Sequence, residues 1–217
     1  MGAKISGAST DVIYIEGVKK LGKVEHKVIP DRIVAGTYLT AAAITGGKIE
    51  LTNVEPNHIQ AVTSKLREIG CTIIEKENRV FLKAPQQLRS VDIVRTQPYP
   101  GFPTDMQAQM MALLTVASGT SIITETVFES RFKHAEELMR MGADITIEGR
   151  TAIVKGVNAL TGTTVHAKDL RGGAALIIAG LVAQGSTIVK GAKHIERGYE
   201  EIDKELQLLG ANIRKID

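Results

Sequence analysis

The chain has 217 residues, of which 43% are hydrophobic and 24% charged, and its formal net charge at pH 7 is +3; this is the composition of an ordinary globular chain that can bury a sizeable core. It has only four Tyr, four Phe and no Trp, and it has no run of Lys or Arg, which disfavours nucleic-acid binding. A single cysteine, Cys71, excludes an internal disulfide framework, and no apolar run is long enough to cross a bilayer, so we expect a cytoplasmic protein without a membrane partner.

From the first residues onward, a motif of glycine, a small residue, any residue and isoleucine recurs at intervals of about 70 residues, which indicates internal repeats. The copies begin at Gly2, Gly70, Gly142 and Gly210. The last three copies follow the amphipathic segments SKLREIG, EELMRMG and KELQLLG. Each glycine is therefore predicted to end a helix, and each isoleucine, including Ile213, to open a strand.

Three apolar segments lie between these motifs, and each is predicted to be a buried helix because it is apolar nearly all round. A short strand is predicted directly after each of them. An aspartate opens each helix and a glycine ends it: Asp31 and Gly46, Asp105 and Gly119, Asp169 and Gly185.

We predict that residues 26–217 form one domain. The landmarks divide it into three units, at about residues 26–84, 85–156 and 157–217. Each unit resembles βαβαββ, and a strand that returns through a helix to the same sheet implies right-handed, partly parallel pairing. We therefore predict an α/β fold with three-fold repetition, helices inside and sheets outside. Residues 1–25 are predicted to be the tail of a preceding domain and an interdomain hairpin, as in a larger protein cut within a repeat.

Residues 100–134 concentrate the polar signals. Thr104 and Gln107 match a capping box at the start of the second buried helix, and Asp105 lies in its first turn. Arg131 follows one strand later, on a face shared with Phe128. From residue types alone, Asp105 is either a helix cap or a functional carboxylate, and both interpretations stay open.

Several of these stretches resemble the UDP-N-acetylglucosamine enolpyruvyl transferases. The matching segments are GFPTDMQAQ, TETVFESRFKHAEELMRMGA, DLRGGAALIIAG and HIERGYEEIDKELQLLGANI. The resemblance covers nearly the whole chain in order. It implies the second of two three-unit domains, plus the tail of the first. It also implies transfer of the enolpyruvyl group of phosphoenolpyruvate to the 3′-hydroxyl of UDP-N-acetylglucosamine, the first committed step of peptidoglycan synthesis. The sequence has no glycine-rich phosphate loop and no dinucleotide fingerprint, so we expect no cofactor.

The resemblance also implies roles for individual residues. Asp105 is expected to take the proton of the sugar hydroxyl, with Arg131 beside it. Thr104, Val127 and Phe128 are expected to contact the sugar nucleotide.

On the phosphoenolpyruvate side, the resemblance implies binding by Arg171 and Arg197, with a catalytic role for Arg197 as for Asp105 and Arg131. Asp169 is expected to hydrogen-bond within the closed site. Arginine suits this task, because its planar fork pairs with carboxylate and phosphate in two places.

Simpler interpretations accompany these roles. Asp31 and Asp169 are expected at least to cap their helices, and Arg171 and Arg197 alternatively carry only surface charge. Cys71 takes a position where other repeats have alanine, so we predict a buried, unreactive thiol. The reactive cysteine of the family lies in the other domain. The five histidines show no spacing typical of a metal site.

For the whole chain, we predict the C-terminal part of such an enzyme, inactive or nearly so without the N-terminal domain as partner. The face that this domain would cover is expected to allow self-association. Two alternatives stay open: a non-catalytic module that binds a sugar nucleotide or a partner protein, and an enzyme like 5-enolpyruvylshikimate-3-phosphate synthase.

Overall fold

Three helices form the centre of the molecule in the computed structural model, which describes residues 1–216. They are α1 (Arg32–Ile44), α3 (Gln107–Leu114) and α5 (Leu170–Gly180). Every residue of α3 is buried, and α1 and α5 each contribute most of their residues to the core. Helices without a polar face gain most free energy when they are covered on all sides, which is why these three lie inside. The predicted arrangement of helices inside and sheets outside is confirmed.

The second unit contains every predicted element. Its sheet has the order β6-β7-β9-β8, with β6 parallel to β7 and the other pairs antiparallel. The predicted parallel return through a helix is therefore present. Its elements besides α3 are β6 (Ile93–Arg95), β7 (Thr120–Thr124), α4 (Lys133–Arg140), β8 (Asp144–Glu148) and β9 (Thr151–Lys155).

The first unit repeats this order without a strand before α1 in the described part of the chain. A short 3₁₀ turn, Pro56–Ile59, precedes its second helix. Its sheet has the order β3-β5-β4, entirely antiparallel. The elements are β3 (Lys48–Thr52), α2 (Gln60–Glu68), β4 (Thr72–Lys76) and β5 (Arg79–Lys83).

Within residues 1–216, the third unit has two strands only, β10 (Thr164–His166) and β11 (Ile188–Lys190), which are parallel. Helices α6 (Ala192–Ile195) and α7 (Ile202–Leu208) follow. The prediction that Ile213 opens a strand is wrong, because residues 211–216 form no regular structure. The physical reason lies in pairing: the equivalent strands β4 and β8 bond to β5 and β9, and residues 1–216 supply no such neighbour here.

An open groove marks the place of this missing strand. Its volume is about 1420 Å³, and β11, α7 and residues 211–216 contribute to its walls. Before the units, β1 (Lys4–Ser6) and β2 (Tyr14–Glu16) form an exposed antiparallel hairpin. No helix among residues 1–216 has the length and apolar character needed to cross a membrane.

The glycines of the repeated motif follow helix ends as predicted. Gly70, Gly142 and Gly210 come just after α2, α4 and α7 with φ of 109°, 92° and 96°. Only glycine enters this left-handed region without a steric cost from Cβ. Each glycine therefore ends a helix and redirects the chain, which fixes the register of the repeat.

Candidate functional site

The aspartates that precede the three central helices do not share one role. Asp31 accepts hydrogen bonds from the backbone nitrogens of Ile33 (2.7 Å) and Val34 (3.2 Å). Asp169 accepts one from the nitrogen of Gly172 at 2.7 Å. Both are N-caps, as predicted. Asp105 caps no backbone nitrogen within residues 1–216, so the capping interpretation of this residue is wrong.

The predicted capping box at Thr104 is also wrong. Thr104–Met106 forms a 3₁₀ turn whose N-cap is Pro103, and no side chain caps it. The side chain of Gln107 is buried instead. The hydroxyl of Thr104 is therefore available to bond other side chains.

Asp105 lies between two arginines from different units. Its Oδ1 accepts from Nη2 of Arg131 at 2.6 Å, and its Oδ2 accepts from Nη2 of Arg171 at 3.4 Å. The side chain of Asp105 is 40% exposed and that of Arg171 only 12%. Burial acts to raise the pKa of Asp105, but the hydrogen bonds and charges of the two guanidinium groups outweigh it, and the pKa is lowered. Asp105 is thus a charged acceptor that remains accessible.

Thr104 connects this ion pair to the sheet. Its hydroxyl accepts from Nη1 of Arg131 at 2.7 Å and donates to Oε2 of Glu125 at 2.8 Å. Arg131 therefore presents one terminal nitrogen to Thr104 and the other to Asp105. Two anchors at fixed spacing orient the planar guanidinium group.

Glu125 is a residue that the sequence analysis missed. Its side chain is 1% exposed. Besides Thr104, it accepts hydrogen bonds from the hydroxyl of Thr96 (2.8 Å) and from the backbone nitrogens of Val127 (2.9 Å) and Phe128 (3.1 Å). A buried carboxylate needs several donors. Here three come from the predicted site residues Thr104, Val127 and Phe128, and the fourth is Thr96, directly after β6. The only sequence signal is its position directly after the strand TSIIT.

Val127 and Phe128 form the apolar part of the site. Both side chains are exposed, although their backbone nitrogens are bonded to Glu125. The guanidinium carbon of Arg131 lies 4.7 Å from the centroid of the Phe128 ring. The charged group of Arg131 therefore lies beside the apolar surface of Phe128, which suits a ligand that has both a charged and an apolar part.

On the other side of Asp105, Arg171 contacts Tyr199. Its Nη1 donates to the Tyr199 hydroxyl at 3.1 Å, and its guanidinium carbon lies 5.5 Å from the ring centroid. Tyr199 is the second residue that the sequence analysis missed. The available signal was a single aromatic residue within the charged segment HIERGYEE.

Other predicted residues are not part of this cluster. Arg197 is exposed and makes no hydrogen bond or ion pair with residues 1–216. Arg32 lies elsewhere, with its guanidinium carbon 5.2 Å from the centroid of the Tyr99 ring. Among the described residues, no three metal-binding side chains come together.

His134 is buried behind the cluster, beside the start of α5. Burial is the largest effect on its pKa, which is lowered to about 4. A Cβ atom at Gly172 would lie 3.2 Å from Cβ of His134 and from both carboxylate oxygens of Asp169. The packing here is therefore close, and a glycine permits it.

A scan against family models matches residues 1–206 to EPSP synthase (3-phosphoshikimate 1-carboxyvinyltransferase). Curated relatives align along the whole chain. One is UDP-N-acetylglucosamine 1-carboxyvinyltransferase 2 of Caldanaerobacter subterraneus subsp. tengcongensis, 53% identical over 216 residues, which are 100% of this chain and 52% of the relative. Another is UDP-N-acetylglucosamine 1-carboxyvinyltransferase 1 of Symbiobacterium thermophilum, 57% identical over 100% of this chain and 49% of the relative. The chain thus spans about half the length of the curated relatives it matches.

Solved structures agree with the fold. The enolpyruvyl transferase NikO from Streptomyces tendae has a TM-score of 0.83 and 27% identity over 98% of this chain and 51% of its own. EPSP synthase from Acinetobacter baumannii has a TM-score of 0.66 at 20% identity, over 88% of this chain and 45% of its own, and shows similarity of fold alone.

Proposed function

The chain belongs to the EPSP synthase (3-phosphoshikimate 1-carboxyvinyltransferase) family, and from this premise we propose that it is the part of an enolpyruvyl transferase that accepts a proton from the sugar substrate. The substrates we propose are phosphoenolpyruvate and UDP-N-acetylglucosamine, in the cytoplasmic step that begins peptidoglycan synthesis. Two relatives named for that sugar nucleotide, at 53% and 57% identity, favour it over shikimate-3-phosphate. The single observation that carries the proposal is Asp105 held between Arg131 and Arg171 on an accessible face.

Asp105 is the proposed proton acceptor. When the sugar 3′-oxygen bonds to carbon 2 of phosphoenolpyruvate, its proton passes to this carboxylate, and the electron pair of the double bond takes up a proton at carbon 3. The bond between carbon 2 and the phosphate oxygen then breaks and carbon 3 loses a proton, which restores the double bond as inorganic phosphate leaves. The two arginines make Asp105 a weak base in the free chain, since they favour its charged form. A substrate anion that draws one guanidinium group away would remove part of this stabilisation and raise the basicity of Asp105.

The remaining site residues are proposed to bind the two substrates. Thr104, Val127 and Phe128 contact the sugar nucleotide. Arg171 and Arg197 bind the carboxylate and phosphate of phosphoenolpyruvate. Arg197 is exposed and lies outside the cluster around Asp105, and it is the third proposed catalytic residue beside Asp105 and Arg131. Asp169 is proposed to hydrogen-bond within the closed site, and it caps the first turn of α5, which contains Arg171.

This chain is proposed to form half of a cleft. Residues 26–217 form the domain that carries Asp105, and residues 1–25 belong to the connection with a further domain. That domain supplies the rest of the binding site, so the isolated chain releases no phosphate. The open face around Asp105 alternatively pairs with a second copy of the chain.

The test is phosphate release from phosphoenolpyruvate and UDP-N-acetylglucosamine. We expect none from the folded chain alone, and release after addition of the separately expressed N-terminal half of the Symbiobacterium thermophilum relative. Asp105→Asn should abolish this release, whereas the exposed control Asp92→Asn should retain it. Release that persists in Asp105→Asn, or a formed complex that releases nothing, would refute the proposal.

A non-catalytic module is the second candidate, favoured by the accessible position of Asp105 in a chain of half length. It predicts micromolar binding of UDP-N-acetylglucosamine by this chain alone, measured by calorimetry. An enzyme that acts on shikimate-3-phosphate is the third, and it predicts that this ligand, and not the sugar nucleotide, shifts the NMR resonances of Thr104 and Val127.

A further inference from the structure

A buried tyrosine hydroxyl joins the three central helices behind the candidate site. Tyr199 is 2% exposed and follows α6. Its hydroxyl oxygen lies 2.8 Å from Oγ1 of Thr37 on α1 and 3.2 Å from Nε2 of Gln109 on α3. The third partner is Nη1 of Arg171 on α5, at 3.1 Å. One hydroxyl therefore contacts all three units.

The direction of each hydrogen bond follows from the available protons. The hydroxyl of Thr37 donates to the backbone oxygen of Ile33 at 2.8 Å, so it accepts from Tyr199. The Tyr199 oxygen in turn accepts from the amide of Gln109 and from the guanidinium group of Arg171. A phenolic hydroxyl has one proton and two lone pairs, and all three are used here. Such a saturated arrangement holds the hydroxyl in one orientation.

This arrangement fixes Arg171 from the side opposite to Asp105. Nη1 of Arg171 bonds to Tyr199 and Nη2 bonds to Asp105, so the planar guanidinium group spans the distance between them. The tyrosine ring adds a contact with the cation, at 5.5 Å. Arginine has a long side chain with several rotatable bonds, and two anchors restrict it to the conformation that faces Asp105.

We propose that Tyr199 is a positioning residue, whose hydroxyl holds the Arg171 guanidinium group in place against Asp105 and ready for the anionic substrate. The consequence for catalysis rests on the function proposed above; the positional role itself concerns only residues of this chain. Packing alone does not require the hydroxyl, because a phenylalanine ring fills the same space. The hydroxyl is therefore the part of the side chain to remove.

Tyr199→Phe is the variant that tests this role. It keeps the ring and its contact with the cation. Gln109 and Thr37 remain 3.2 Å apart and can still bond each other, so the helices keep a polar connection. The matched control is Tyr99→Phe, since Tyr99 is an exposed tyrosine that contacts a different arginine, Arg32.

The measurements use the ligand-free chain. Nitrogen-15 NMR reports rotation of the Arg171 guanidinium group, and carbon-13 NMR follows the titration of the Asp105 carboxyl group. In Tyr199→Phe we expect about five-fold faster rotation, the factor that loss of one hydrogen bond of about 1 kcal/mol corresponds to. The titration midpoint of Asp105 should move upward, because its second guanidinium partner is held less firmly. Tyr99→Phe should change neither value.

A folded Tyr199→Phe chain with unchanged Arg171 rotation and an unchanged Asp105 midpoint would overturn the inference. If Tyr199→Phe does not fold, Thr37→Val provides the second variant, because it removes the acceptor that orients the Tyr199 hydroxyl. In Thr37→Val we expect a smaller increase in the rotation rate of the Arg171 guanidinium group and a smaller upward shift of the Asp105 midpoint. No change in either value would overturn the inference. No ligand enters these measurements, so a failure of the proposed activity gives a different result from a failure of the positioning role.

Discussion

At Asp105, two opposing effects act on one carboxyl group. Partial burial disfavours its charge, whereas Arg131 and Arg171 favour it, and the arginines prevail. One of these arginines, Arg171, is also a partner of the substrate anion under the proposed function. Substrate binding and the basicity of Asp105 are therefore coupled, because both depend on the guanidinium group of Arg171.

Glu125 is expected to contribute to stability more than any exposed acidic residue nearby. Glu125→Ala leaves four donors without their acceptor, so we expect a loss of about 2–4 kcal/mol in the free energy of unfolding. Urea denaturation measures this loss. The control is Glu129→Ala, four residues later and 92% exposed, which should change stability by less than about 0.5 kcal/mol. Equal effects of the two substitutions would contradict the role of Glu125.

His134 should make the protein sensitive to acid. Its pKa is about 4 in the folded chain and near 6.5 when unfolded, so the unfolded chain binds the proton more readily. The part of the free energy of unfolding that depends on a neutral His134 is present in full above pH 6.5 and is lost as the pH falls towards 4. At 1.36 kcal/mol per pH unit, the whole effect is roughly 3 kcal/mol.

The check is urea denaturation of the wild type at pH 7 and pH 5, beside His134→Gln. Asp169 and Arg131 are the charged groups that act on this imidazole. His134→Gln should reduce the difference in the free energy of unfolding between pH 7 and pH 5. His26→Gln, at an exposed position, should leave this difference unchanged. A His134→Gln chain with the wild-type dependence would refute the assignment.

Cys71 should react slowly with thiol reagents. It is buried, and burial raises the pKa of its thiol to about 11, so little thiolate exists near neutral pH. We expect labelling of the native chain to be far slower than labelling in urea, as followed by mass spectrometry. Equal rates would show that the predicted unreactive thiol is wrong.

At the scale of elements, the three central helices begin differently. α1 and α5 start at a capping aspartate, whereas a 3₁₀ turn with Asp105 precedes α3. The turn leaves the carboxylate of Asp105 unused by the backbone and directs it to side chains from other elements. The repeat position that holds a helix-capping aspartate in the first and third units therefore holds the candidate proton acceptor, Asp105, in the second unit.

Removal of one cap tests this difference. Asp31→Ala should lower the free energy of unfolding by about 1 kcal/mol, because two backbone nitrogens of α1 lose their acceptor. Thermal denaturation gives the value, with Asp11→Ala in the exposed segment as the control. A loss no larger than that of Asp11→Ala would mean that water replaces the cap without cost.

At the scale of the whole molecule, the site exists only where units meet. Asp105, Thr104 and Arg131 belong to the second unit, whereas Arg171 and Tyr199 belong to the third. The units also differ in completeness, since, among the residues that the structure describes, β7 has strands on both sides and β11 has one neighbour only. The third unit is therefore the part of the described chain with an unpaired strand edge next to an open groove.

Hydrogen exchange should reveal this difference. The amides of β11 should exchange much faster than those of β7, because a strand with a neighbour on one side opens more readily. Mass spectrometry of peptides that cover 120–124 and 188–190 provides the comparison within one sample. Equal protection would mean that another segment or a second copy of the chain covers the edge of β11 in solution.

The sequence by itself determined the repeat, the α/β class and the buried helices, because glycine positions and apolar patterns act locally and recur in each unit. It also determined the family, through motifs spread along the whole chain. Only the tertiary structure decided which aspartate caps a helix and which one pairs with arginines, since all three occupy one repeat position. The same holds for Glu125 and Tyr199: their roles depend on partners that are distant in sequence, and the fold alone brings those partners within hydrogen-bond distance.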